Sequence, residues 1–110
     1  MDARKRKKLE AAGWRVGTAQ EFLDLSDEEN ALVEIKLSLG ELVRRHRVRA
    51  HLSQTALAQR LQSSQSRVAK LESGDAGVSL DLMFKAAFVA GAKRRELAKV
   101  ILPKRRLAAG

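Results

Sequence analysis

Residues Leu52–Gly74, LSQTALAQRLQSSQSRVAKLESG, read as two short helices joined by a tight turn. Ser53 stands where an N-cap is needed, immediately before an apolar-periodic run. Leu57, Ala58 and Leu61 then form one stripe of helical spacing. Ala58 matters for its size, because a second helix crossing steeply needs a small side chain at closest approach. Ser64 supplies the next N-cap, and Val68 with Leu71 gives the second helix its inner face. Gly74 follows that helix, where a left-handed residue closes the last turn.

The outward face of the second helix carries Gln65, Ser66, Arg67 and Lys70. Gln and Arg make paired hydrogen bonds to base edges, whereas Ser and Lys suit phosphate. The Leu-Ser-Gln start, the Leu57-Ala58 pair, Ser64-Gln65-Ser66, and Leu71, Glu72 and Gly74 as Leu-Glu-x-Gly together form a specific pattern. At these residues the chain resembles the phage-repressor/Cro-like helix-turn-helix family, from about Leu42 to Ile101. The resemblance implies a five-helix domain that binds a palindromic operator in double-stranded DNA as a homodimer. It implies a phosphate contact for Gln54 and a base contact for Gln65. The candidate DNA-binding set is therefore Gln54, Ser64, Gln65, Ser66, Arg67 and Lys70, with Ser53, Ser64 and Ser66 also able to donate to phosphate. Gln62 departs from the family, which commonly has glycine at this turn. Holding positive φ there costs a non-glycine residue about 1 kcal/mol.

Charge supports the same expectation. The 110 residues carry a formal net charge of +9, unevenly distributed. Residues 1–17 are net +4, residues 18–41 are net −6 with Lys36 their only cation, and the rest is net +11. A basic half coinciding with the two-helix stretch suits phosphate binding. The acidic block would repel DNA; it is expected to face away from it and to suit a basic partner.

Composition limits the alternatives. There is no Cys and one Pro, and β-branched runs are nearly absent, so an all-α fold is expected. No thiolate metal site is possible, and with only two His a structural zinc site is not expected. No apolar run approaches the roughly 18 residues of a membrane span. The basic N-terminus lacks the apolar core of a secretory signal, and a cytoplasmic location is expected.

Working outward, residues 1–12 read as a basic tail, either solvated or a DNA-contacting arm. Residues 13–41 read as an acidic N-terminal extension able to bind a partner. Within it, Gly13–Gly17 alternates Trp14 and Val16 as a short extended segment, and Thr18 with Glu21 caps a short helix over 19–24. Ser26 and Glu29 cap a long helix from about Asp27 to Arg49. Gly40 interrupts its sequence at about 1 kcal/mol relative to Ala. Arg44, Arg45, Arg47 and Arg49 suit the negative end of its dipole. Residues 42–102 form the DNA-binding domain. Ser79 caps a helix ending at Gly91, a last helix runs from about Lys93 to Ile101, and residues 103–110 form a second basic tail.

The Leu80–Ala90 helix is apolar around most of its girth. Met83, Ala86, Ala87 and Ala90 suit the core. Leu80, Phe84 and Phe88 form a second stripe, which either packs under the long N-terminal helix or makes the homodimer interface.

Enzymatic chemistry finds little material. His46 and His51 are not spaced as paired helical metal ligands, and among the arginines they are expected at the surface or facing phosphate. Asp27, Glu28 and Glu29 read as first-turn dipole partners. No cofactor is implied. The run Ser63–Met83 and the acidic extension resemble antitoxins of the HigA type. That resemblance implies a repressor of its own operon that neutralises a basic, messenger-RNA-cleaving toxin. A stand-alone phage or host regulator is the alternative. A third class is an interaction protein without DNA binding, against which the basic half argues.

Overall fold

The computed structural model describes residues 24–103. The two basic tails, the Trp14 segment and nearly all of the helix expected over 19–24 lie outside the described residues. Asp24, the one described residue of that expected helix, sits in a turn at φ 59°. The described residues form five helices and no strand, so the fold is all-α. They are α1 (Asp27–Arg49), α2 (Gln54–Leu61), α3 (Gln65–Glu72), α4 (Leu80–Ala90) and α5 (Arg94–Ile101).

The chain divides into two compact units, Met1–Glu34 and Ile35–Gly110. The described part of the first holds the start of α1. Its capping box is made both ways: the Glu29 amide donates to Ser26 Oγ at 3.1 Å, and the Ser26 amide donates to Glu29 Oε1 at 2.9 Å. Acids fill the first turn, and Leu32 is 48% exposed.

The second unit holds the core. Leu39, Leu42 and Val43 from α1 meet Leu57, Ala58 and Leu61 from α2 and Val68 and Leu71 from α3. Met83, Ala86, Ala87 and Ala90 of α4 and Leu97 of α5 complete it, with Val78 and Ala92 from the adjoining loops. The α2, α3 and α4 positions are those that helical periodicity assigned to the inner faces. α2 packs chiefly against α3 and α4, with Ala58 buried among them.

α1 lies close against the end of α3. A Cβ at Gly40 would stand 2.5 Å from the Glu72 carbonyl oxygen and 2.6 Å from that of Leu71. The glycine that interrupts the α1 sequence therefore leaves the helix unbroken and lets two backbones touch. One turn earlier in α1, Leu37 meets Gly74, whose own Cβ would lie 3.0 Å from the Leu37 Cα.

Four helices end with the same device. At each, one residue adopts the left-handed conformation, and the amide after it reaches back five residues to a carbonyl. These residues are His51 at φ 61°, Gln62 at 55°, Gly74 at 75° and Gly91 at 115°. The closing bonds are Leu52 to Arg47 at 3.0 Å, Ser63 to Ala58 at 2.8 Å, Asp75 to Lys70 at 3.0 Å and Ala92 to Ala87 at 2.8 Å. Gln62 thus adopts the conformation for which the related family uses glycine.

His46 departs from expectation. Instead of facing the surface, its ring is largely buried and its Nε2 lies 2.9 Å from Glu96 Oε2. Glu96 also accepts the Lys93 amide at 2.9 Å, closing the first turn of α5. The Lys93 amide, and then His46, hold the Glu96 carboxyl below its ordinary range.

Candidate nucleic-acid interface

Three serines set the helix starts around this surface. Ser53 Oγ accepts the Ala56 amide at 3.0 Å, Ser64 Oγ accepts the Arg67 amide at 3.2 Å and Ser79 Oγ accepts the Leu82 amide at 3.1 Å. Each cap uses the hydroxyl as acceptor. Ser64 and Ser66 place their hydroxyls 3.3 Å apart at the head of α3.

With Val68 and Leu71 buried, Gln65, Ser66, Arg67 and Lys70 are all exposed. Ser64, Ser66, Arg67 and Lys70 line one groove, whose other wall is Asp75, Gly77 and Val78. That wall was not anticipated from the sequence.

Gln54 and Gln65, the first residues of α2 and α3, are joined directly. Gln65 Nε2 donates to Gln54 Oε1 at 2.7 Å, and Gln54 Nε2 donates to Glu72 Oε1 at 3.1 Å. The carboxylate fixes the direction of this relay. It accepts only, so Gln54 must turn its NH2 toward Glu72 and its oxygen toward Gln65. Gln65 is thereby held at the head of α3 with its own carbonyl oxygen still free of this relay.

The relay ends at Arg47. Its guanidinium grips Glu72 through both Nε and Nη2, the latter at 3.0 Å from Oε1, and Nη1 donates to the Leu52 carbonyl at 2.9 Å. The Arg47 and Glu72 side chains are only 13% and 5% exposed. The hydrogen bond to Glu72 raises the Arg47 pKa, against the opposing effect of burial. Sequence reasoning assigned Arg47 to the helix dipole. It missed this pair because nothing local in the sequence couples residues 25 apart. Glu72 was visible as part of Leu-Glu-x-Gly, but not as the hub between α1, α2 and α3.

Of the second α4 stripe, Leu80 and Phe84 are half-buried against the core, while Phe88 is 48% exposed. Among the described residues no three His, Cys, Asp or Glu side chains gather as a metal site. Nor is any described helix long and apolar enough to cross a membrane.

No curated protein and no solved structure matches the chain. Residues 38–100, more than half of it, match the family model of the helix-turn-helix domain. The matched span covers α2, α3, the relay and the groove, and the protein belongs to this family of DNA-binding helix-turn-helix domains.

Proposed function

We propose that the protein is a sequence-specific transcriptional repressor that sets α3 into the major groove of a palindromic operator. The observation that carries this reading is the combination of an exposed Gln65–Ser66–Arg67–Lys70 face with a relay, anchored on the largely covered Arg47–Glu72 pair, that holds Gln65 from behind. Preorganised donors and acceptors lose little freedom on meeting base edges, which favours discrimination over loose polyanion binding. In this reading Gln65 and Arg67 contact bases, while Ser64, Ser66 and Lys70 contact phosphate or the groove edge. Gln54 acts mainly by holding Gln65, with its second amide proton available to phosphate. Gel-shift titration tests the assignment. Gln65→Ala and Arg67→Ala should each cost about 1–3 kcal/mol on the preferred site and little on a scrambled one. Equal losses on both duplexes would refute a base-reading role.

Two copies on a two-fold site require a self-complementary contact, and exposed Phe88 on the apolar side of α4 supports one there. The finer reading is the antitoxin of a type II pair. It is favoured by the Asp27, Glu28 and Glu29 turn beside half-exposed Leu32, a surface suited to a cationic protein. Co-purification with the product of the adjacent gene decides this. Full-length protein should capture a small basic partner, and Glu28→Lys with Leu32→Lys should lose it. Absence of such a partner would leave the stand-alone regulator, whereas its undiminished capture by the variant would put the docking surface elsewhere.

A further inference from the structure

Lys36 is the lone cation of the acidic stretch 18–41, yet its amine turns to two backbone carbonyls. Lys36 Nζ donates to the Val78 carbonyl at 2.6 Å and to the Ala76 carbonyl at 2.9 Å. Both carbonyls belong to the loop that forms the second wall of the α3 groove. We propose that Lys36 is a positioning residue for DNA binding, which acts by holding the Asp75–Val78 loop beside the reading face of α3. The proposal rests on the DNA-binding reading above.

The loop needs such a clamp. It lies between the left-handed close of α3 at Gly74 and the Ser79 cap of α4, and contributes only Val78 to the core. Its internal bonds are local: Asp75 Oδ1 accepts the Gly77 amide at 2.7 Å, and the Val78 amide donates to the Asp75 carbonyl at 3.1 Å. These bonds shape the turn but do not fix it against the rest of the domain. α1 supplies that fixing at successive points. Gly40 lies against the end of α3, Leu37 against Gly74, and Lys36 reaches the carbonyls beyond. A charged donor to two carbonyls is stronger than a neutral bond. It also engages two loop carbonyls, partial negative charges, through a positive amine. Releasing the clamp would let the loop carbonyls rotate into the groove.

The test compares full-length wild type, Lys36→Met and Lys36→Arg. Methionine keeps the aliphatic stem and removes the donor, and arginine restores a donor of similar reach. Amide hydrogen exchange reports the loop directly, and fluorescence titration against an operator duplex selected from a random pool reports binding. Lys36→Met should speed exchange at Gly77 and Val78 at least tenfold, leave core amides of α2 and α3 unchanged, and weaken operator binding about tenfold. Lys36→Arg should recover most of both effects. Unchanged loop exchange overturns the proposal. So does a loosened loop with unchanged affinity, or an affinity loss that only follows loss of folded protein. Wild-type protein that binds no duplex overturns the DNA-binding reading itself, and is distinct from a wild type that binds with a Lys36→Met variant that binds equally well.

Discussion

α3 and α4 are consecutive helices with the same local grammar and opposite outer surfaces. Both begin at a serine cap and both close through a left-handed glycine. Both send apolar side chains into one core. α3 then shows the solvent Gln65, Ser66, Arg67 and Lys70, whereas α4 shows Phe88 beside Asp81 and Lys85, with Leu80 and Phe84 partly covered. Fold and partner are thus written in different residues of each helix. The inner positions tie both helices to the same core. The outer positions of α3 are polar and basic, whereas those of α4 set one exposed aromatic ring among charges. α3 alone is further braced from behind, by the chain Arg47–Glu72–Gln54–Gln65.

The sharpest way to break this contrast is to remove the brace. Glu72→Ala leaves the Arg47 guanidinium buried without its carboxylate, which should cost about 3–5 kcal/mol of stability. Urea denaturation would show it as a lowered midpoint. A loss below about 1 kcal/mol would mean that the α3 face is no better fixed than a solvated helix.

A smaller effect belongs to α4. Phe88→Glu places a charge on a half-exposed site, so the monomer should keep its helicity and stability nearly intact. A self-contact centred there should weaken by about 2 kcal/mol or more, the scale of an aromatic anchor. Sedimentation and circular dichroism separate the outcomes. A variant that dimerises like the wild type would move the self-contact elsewhere, and a variant that unfolds would place Phe88 in the core.

The smallest effect concerns the turn between α2 and α3. Gln62 holds φ 55° with a side chain, where α3 and α4 end on glycines. Gln62→Gly should relieve that conformation and raise stability by about 0.5–1 kcal/mol, offset in part by the greater freedom of the unfolded chain. A destabilised variant would mean that the Gln62 side chain makes a contact outweighing the strain.

The sequence made the periodic features legible. The Ser53, Ser64 and Ser79 caps, the inner stripes of α2 to α4 and the long α1 follow from local spacing, and the structure has them all. What it could not disclose depends on residues distant in the chain. Gly40 read as a weak point of α1, but its role comes from the Glu72 carbonyl pressed against it. His46 read as a surface group until α5 brought Glu96 to it. Arg47, Glu72 and Lys36 carried ordinary charge-run signatures, and only the crossing of α1 with α3 turns them into a brace and a clamp. At the interface, the residue types on α3 were readable. The orientation imposed on Gln65 by Gln54 was not, since two amides at α2 and α3 starts signal nothing locally.

The central claim is that α3 reads base sequence through a prefixed Gln65 and its neighbour Arg67. Selection of duplexes from a randomised pool tests it most directly, run in parallel for wild type, Gln65→Ala and Arg67→Ala at one fixed salt concentration. The account predicts a two-fold-symmetric motif for wild type, with each variant losing preference at its own base pair in both half-sites and keeping the remainder. Enrichment of no motif by wild type, or the same full motif from all three proteins, would contradict it.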